Sequence, residues 1–182
     1  MKRISVILKW LLIGWGTFSL LGALIIGGFF AYQFSLGNRD RINTASTKDV
    51  RFIFNWSNLG EDRIEKVIKS HVSGRSFTGD HLDAYAIKVT HITIEELSAN
   101  KDQFNQQWYR GDQLPKVLDD AVSFVEPWLG EIPWFPREAE LRSAEIYAYI
   151  CSIHYYGIRP SAAEIIFVRP KDKMLFFFSG KT

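Results

Sequence analysis

Residues 10–34 have the sequence WLLIGWGTFSLLGALIIGGFFAYQF, and this apolar stretch decides how the rest of the chain is organised. No charged residue occurs between Lys9 and Arg39, a run of 29 residues. A helix of about 20 residues spans the roughly 30 Å hydrocarbon core of a bilayer, so this run is long enough to cross it. Aromatic residues lie near both ends, as in the aromatic belts of membrane helices. We therefore expect a single transmembrane anchor at residues 10–34.

The distribution of basic residues predicts the orientation of this anchor. Lys2, Arg3 and Lys9 are concentrated in a nine-residue tail without acids, whereas three basic residues are spread over the flank that follows the anchor. The positive-inside rule then favours a cytoplasmic N-terminus and an extracytoplasmic C-terminal domain in the cell (inner) membrane. A cleaved signal peptide is the alternative, but it would have an apolar region of about 7–15 residues and an A-x-A-like site. The apolar run is longer and no such site follows it.

The remaining composition predicts four segments and excludes some functions. We expect a cytoplasmic tail at residues 1–9, the anchor, a polar tether at residues 35–49 and an extracytoplasmic domain at residues 50–182. All 20 acidic residues and 19 of the 22 Lys and Arg residues follow residue 38, so the domain is nearly neutral. A neutral domain is a poor nucleic-acid binder. Cys151 is the single cysteine, which excludes an intramolecular disulfide.

Small residues at a spacing of four form a stripe along the anchor. They are Ser19, Ala23, Gly27 and Ala31. Stripes of this kind let two helix backbones approach closely in a membrane, so the anchor is a candidate for self-association into a homo-oligomer. The alternative is that membrane helices are simply rich in Gly and Ala.

Apolar periodicity predicts the first elements of the domain. In Val50–Trp56 apolar residues alternate with polar ones, which indicates a half-buried strand. In Glu61–Val72 a stripe from Ile64 to His71 has the i, i+3, i+4, i+7 spacing of an amphipathic helix. His81–His91 alternates again, which predicts a second strand.

Two helices are predicted next. Thr93 and Glu96 have the spacing of a capping box, at the start of a weak helix with Phe104 on its apolar face. An apolar stripe from Leu114 to Val125 predicts a stronger helix.

The C-terminal part is rich in strands. Ser143–Tyr156 has apolar residues at both odd and even positions, which predicts a strand buried on both faces. The stretch is long for one strand, so we expect a bulge or an early end. Ala163–Arg169 and Met174–Phe178 predict a hairpin. The order is thus β-α-β-α-α-β-β-β, and we expect an α+β fold with helices on one face of a mostly antiparallel sheet.

The sequence contains no convincing metal, cofactor or catalytic motif. The four histidines lack the spacing of a zinc site, so we expect neither a metal nor a cofactor. His81 and Asp83 lie on the same face of a predicted strand and could act as a base and the residue that orients it. No nucleophile is tied to them by sequence. A membrane-anchored hydrolase that uses this pair is the alternative function, and an enzyme is the less favoured class.

An aromatic loop bounded by prolines is the best candidate for a contact surface. Trp128, Trp134 and Phe135 lie in the stretch WLGEIPWFP, in which prolines restrict the backbone. Tryptophan is enriched at binding hot spots and membrane interfaces. The alternative is a lid that folds over the sheet.

The favoured hypothesis is therefore a membrane-tethered extracytoplasmic module that binds another protein. Envelope assembly, a secretion machine or toxin neutralisation would all suit such a module. An enzyme would need a concave pocket with converging polar groups, whereas a binding module needs an exposed apolar patch.

Overall fold

The computed structural model describes residues 2–32, 38–98 and 107–182, so Gln33, Phe34, the start of the expected tether and Phe104 lie outside the described residues. The chain divides into two compact units, Met1–Arg39 and Asp40–Thr182. The first unit contains helix α1, Lys2–Tyr32. Within α1, Leu8–Tyr32 is long and apolar enough to span a membrane, a property that a signal sequence near the N-terminus would share.

The second unit, which we call the domain, begins at Asp40, ten residues before the boundary expected from the sequence. It has an α+β architecture with one antiparallel sheet of seven strands in the order β1-β2-β3-β7-β6-β5-β4. The strands are β1 Arg41–Ile42, β2 Ile64–Val72, β3 His81–Val89, β4 Tyr109–Arg110, β5 Tyr147–Tyr156, β6 Arg159–Arg169 and β7 Met174–Lys181. The helices are α2 Arg51–Trp56, α3 Ile94–Ser98, α4 Lys116–Val125 and α5 Glu138–Leu141.

The prediction of a helix at Glu61–Val72 is wrong, because this stretch forms a short 3₁₀ turn and then β2. Two β-bulges explain the misleading spacing. The pairing with β3 shifts by one residue between Ile64 and Lys66 and again between Val67 and Lys69. Each bulge inserts one residue and lengthens the repeat on the buried face from two residues to three. The apolar face therefore has nearly helical spacing although the backbone is extended.

The prediction of a strand at Val50–Trp56 is also wrong, because Arg51–Trp56 forms α2. Val50, Ile53, Phe54 and Ser57 are all buried, and they have the i, i+3, i+4, i+7 spacing of one helix face. In the predicted strand Ile53 would lie on the polar face, but in the structure it is fully buried.

Other predicted elements are observed. β3 covers most of the predicted strand, and α4 lies within the stripe that ends at Val125. β6 and β7 form the C-terminal hairpin, in which Lys173 adopts the left-handed conformation with φ 55°. β5 begins at Tyr147, later than predicted, and its pairing with β6 has two register shifts.

Helices pack on both faces of the sheet, not on one as expected. On one face α4, α5 and the loop between them cover a core that includes Phe167, Phe176 and Phe178. On the other face α2 and α3 cover a core that includes Tyr85 and Phe177. Both faces of the central strands are therefore buried, which explains their continuous apolar runs.

Several segments meet at one end of the sheet. Lys181 at the end of β7 pairs with His81 on one side and with Ala162 on the other. The β2–β3 loop, the β5–β6 turn and the first residue of the domain, Asp40, lie at this same end. We call it the tether end of the sheet, because the chain enters the domain there.

Candidate functional site

The aromatic loop is folded onto the sheet. Phe135 is only 3% exposed, and its ring centroid lies 5.6–6.3 Å from the rings of Phe167, Phe176 and Phe178. Phe135 is therefore a core residue and not part of a contact surface. Trp128 and Trp134 are half-buried and pack against the same core. The lid interpretation describes this loop better than an exposed binding loop does.

A surface groove lies beside Trp128. The Trp128 ring is 6.4 Å from the ring of Phe124, and Phe124 lines a groove of about 380 Å³. Pro127 and Pro160 contribute to its lining, and so does Ile158 of the β5–β6 turn. Asp120, Ser123 and Arg159 add polar groups to this mainly apolar lining. Protein-binding sites commonly combine apolar and polar groups in this way.

His81 and Asp83 lie on one face of β3 as expected, but their side chains have different hydrogen-bond partners. Asp83 accepts two hydrogen bonds from the Arg75 guanidinium, at 3.0 and 2.6 Å. The Nδ1 atom of His81 lies 2.9 Å from the carbonyl oxygen of Gly79, and its Nε2 atom lies 3.1 Å from Ser179 Oγ. The group that orients His81 is thus a backbone carbonyl. Its hydroxyl neighbour, Ser179, was not identified from the sequence.

Ser179 connects His81 to a second acid. Its Oγ lies 3.5 Å from Glu164 Oε1, and Ser152 donates a 2.7 Å hydrogen bond to the other oxygen of Glu164. Neighbouring strands place these residues in one row, because Ser179 pairs with Glu164 and Glu164 pairs with Ser152. We call His81, Ser179, Glu164 and Ser152 the polar row. It crosses the sheet near the tether end.

The protonation state of His81 decides the direction of these hydrogen bonds. When the neutral ring donates its Nδ1 proton to Gly79, Nε2 is an acceptor and can receive the Ser179 proton. A protonated ring would instead donate to Ser179 Oγ, and Ser179 would then donate to Glu164. The first arrangement is the one that would activate a serine nucleophile.

The surroundings of Ser179 are nevertheless poor for catalysis. Its side chain is buried, with 5% of its surface exposed. It lies in β7, which pairs with β3 and β6 on its two sides, so the sheet uses its backbone N–H group. An acyl-transfer enzyme needs free N–H groups that can stabilise an oxyanion. His81 and Ser179 therefore have the arrangement of a base and a nucleophile, but the backbone N–H group of Ser179 is not free to stabilise an oxyanion.

A cleft of about 300 Å³ borders the polar row. Its lining includes Trp56, Tyr149, Cys151 and Glu164. Burial, together with the nearby Glu164 carboxylate, raises the pKa of the Cys151 thiol to about 12. The thiol is thus protonated at neutral pH, and Cys151 is not a reactive nucleophile.

The described residues contain no cluster of three His, Cys, Asp or Glu side chains that could hold a metal ion. His71, which is 6% exposed, is a buried histidine of β2. Within the described part of the chain, its Nε2 atom has no hydrogen-bond partner.

The stripe of small residues lies on the surface of α1. Ser19, Ala23, Gly27 and Ala31 are all exposed. A Cβ atom added at Gly27 or at Gly28 would meet nothing within 4 Å. Among the described residues of one chain, therefore, no packing contact requires either glycine.

Comparison of this chain with protein-family models, with curated proteins and with solved structures finds no match.

Proposed function

We propose that this protein is a membrane-tethered module that binds another protein on the extracytoplasmic side of the inner membrane. The observation that carries this proposal is the apolar groove beside Trp128, lined by Phe124, Pro127, Ile158 and Pro160. Ile158 is 92% exposed although it is a large apolar residue.

The shape and composition of the groove define the partner. Two prolines and the packed Phe124 ring make its walls rigid, so a ligand would not have to order them on binding. A groove of about 380 Å³ accommodates one or two apolar side chains. We therefore infer that the partner presents a short apolar segment, in an envelope assembly, a secretion machine or a toxin that this module neutralises.

Site-directed photocrosslinking in intact membranes tests this proposal. A photoreactive amino acid at Ile158 should give a discrete crosslinked protein, and Ile158→Asp should abolish co-purification of that protein. The matched control position is Ile94, which is 53% exposed and lies on α3, far from the groove. Equal crosslinking from positions 158 and 94, or none from 158, would contradict the proposed groove.

The proposed orientation has its own test. The cluster of Lys2, Arg3 and Lys9 favours a cytoplasmic N-terminus. A reporter that is active only outside the cytoplasm should therefore work when fused after Thr182. Activity of a cytoplasm-only reporter at the same site would reverse the orientation.

A membrane-anchored hydrolase is the second candidate function, and the 3.1 Å separation of His81 Nε2 from Ser179 Oγ favours it. In this version Ser179 replaces Asp83 as the partner of His81. A fluorophosphonate probe, which reacts with activated serines, should label the native protein and not Ser179→Ala. Ser152→Ala is the control, because Ser152 contacts Glu164 and should remain dispensable for labelling. Absence of labelling in the native protein would exclude this function.

A further inference from the structure

The most exposed apolar side chains of the domain are concentrated at the tether end of the sheet. Among the described residues, Phe77, Tyr156 and Ile158 are 88%, 86% and 92% exposed. The next large apolar residue of the domain, Ile42, is 58% exposed. Scattered apolar residues are normal on a protein surface, but here the three most exposed ones of the domain lie at the same end of the sheet.

These side chains project from two hairpin loops of defined structure. Phe77 lies in the β2–β3 loop, where Gly79 N–H donates to the Ser76 carbonyl at 3.0 Å and Lys181 Nζ donates to the Thr78 carbonyl at 2.9 Å. Tyr156 and Ile158 flank Gly157, which has φ 65° in the β5–β6 turn. Three strand spacings separate the two loops, which corresponds to about 14 Å.

The chain from α1 enters the domain at this same end. Gly74 N–H, at the base of the β2–β3 loop, donates a 2.8 Å hydrogen bond to Asp40 Oδ1. Eight Cα–Cα steps connect Tyr32 at the end of α1 to Asp40, and a fully extended chain covers at most about 3.6 Å per step. If α1 spans the membrane, this short connection limits how far the tether end can move from the bilayer.

We propose that the tether end docks on the lipid bilayer, with Phe77 and Tyr156 inserted at the level of the lipid headgroups. Aromatic side chains are favoured at this interface, and two loops about 14 Å apart would fix the tilt of the domain. Acidic and basic side chains are mixed at this end, namely Arg41, Arg75, Arg159 and Lys181 with Asp40, Asp80 and Asp83, and Arg75 is paired with Asp83. The near balance of charge assigns the docking mainly to apolar burial rather than to attraction to anionic lipids. It does not depend on the proposed protein partner.

Site-specific fluorescence of the full-length protein in liposomes tests this proposal. In a Cys151→Ala background, the dye NBD is attached at Phe77→Cys, at Tyr156→Cys or at Lys171→Cys. Lys171 is the control, because it is exposed and lies in the β6–β7 turn, about 27 Å away along β7. Lipids with a nitroxide just below the headgroup should quench the dye several-fold more strongly at positions 77 and 156 than at 171. The result should be the same in zwitterionic and in anionic vesicles.

Three results would overturn the proposal. Equal quenching at the three positions would mean that the domain has no preferred orientation, and stronger quenching at position 171 would mean that it docks by its other end. A blue-shifted emission without quenching at 77 and 156 would place them in a protein contact.

A second variant separates insertion from simple proximity. With the dye at Thr182→Cys, also at the tether end, Phe77→Ser combined with Tyr156→Ser should remove most of the quenching. Both side chains are more than four-fifths exposed, so the substitutions remove little buried apolar surface. Unchanged quenching in this double variant would mean that the short connection alone holds the domain near the lipid. Ile158 is left intact, so failure here leaves the crosslinking test of the groove unaffected.

Discussion

Replacement of Phe135 by alanine tests whether the aromatic loop is a structural lid. The Phe135 ring is almost fully buried and makes edge-on contacts with three phenylalanines of the sheet, Phe167, Phe176 and Phe178. Phe135→Ala removes these contacts and leaves a cavity, since strands β6 and β7 cannot move inward without disturbing the opposite face. Substitutions of this type cost about 3–5 kcal/mol.

The free-energy loss predicts a large change in melting temperature. A domain of this size loses roughly 4 °C for each kcal/mol of stability, so Phe135→Ala should lower the melting temperature by about 10–20 °C. Thermal unfolding of residues 40–182, followed by circular dichroism, measures this change. Trp134 is half-buried, and Trp134→Ala should therefore cause about half the loss.

Ile158→Ala is the matched control for these variants, because it removes a fully exposed apolar side chain and should leave the melting temperature within about 2 °C. A Phe135→Ala variant that melts within the same range would refute the lid, and would restore the aromatic loop as a candidate contact surface.

Three further predictions concern other parts of the chain. The pKa of Cys151 is raised to about 12, so maleimide labelling at pH 8 should be slow in the native protein and fast after denaturation; comparable rates would contradict this burial. A hydrogen bond from Arg63 lowers the pKa of Glu96, so the stabilisation is present above the ordinary carboxyl pKa and is lost as the pH falls through the lowered value. Arg63→Met should thus lower the melting temperature more at pH 7 than at acidic pH, and an equal loss at both would exclude this ion pair as the cause. In a membrane two-hybrid assay Gly27→Ile should weaken self-association more than Gly28→Ile, because Gly28 lies about 100° around the helix from the stripe. Equal effects would mean that the stripe only reflects the high Gly and Ala content of membrane helices.

The elements that the sequence predicted correctly are those whose periodicity is undisturbed. α4 has an unbroken apolar stripe, and β3 alternates along its length with Tyr85, Ile87 and Val89 in one core. The β6–β7 hairpin is bounded by a clear turn at Pro170–Asp172. In each case the local pattern and the tertiary packing agree.

The elements that were missed depend on tertiary contacts that no local pattern contains. The two bulges of β2 are visible only in its pairing with β3. In the sequence alone, the three-residue spacing of Ile64 and Val67 is indistinguishable from that of a helix face. β1 and β4 have two residues each and exist only because a longer strand lies beside them. Of the two helices on the second face of the sheet, α2 was missed because it was assigned as a strand, whereas α3 lies at the start of the helix predicted from Thr93 and Glu96.

The polar row could not be predicted for a related reason. Ser152, Glu164 and Ser179 are separated by 12 and 15 residues, and they meet only because of the register of three neighbouring strands. His81 is 98 residues from Ser179. The one local signal is Glu164, an isolated charge in the otherwise apolar stretch AAEIIFV. A shift of one residue in the β6–β7 pairing would turn Ser179 to the opposite face from Glu164.

The polar row departs from the apolar pattern of the central strands. Glu164 is half-buried and lines the cleft beside Trp56, where it receives a hydrogen bond from Ser152 and lies 3.5 Å from Ser179 Oγ. Positions at which a sequence departs from what its fold requires are concentrated at functional sites. The polar row and the exposed loops occur together at the tether end, and this coincidence directs the search for function to that end of the domain.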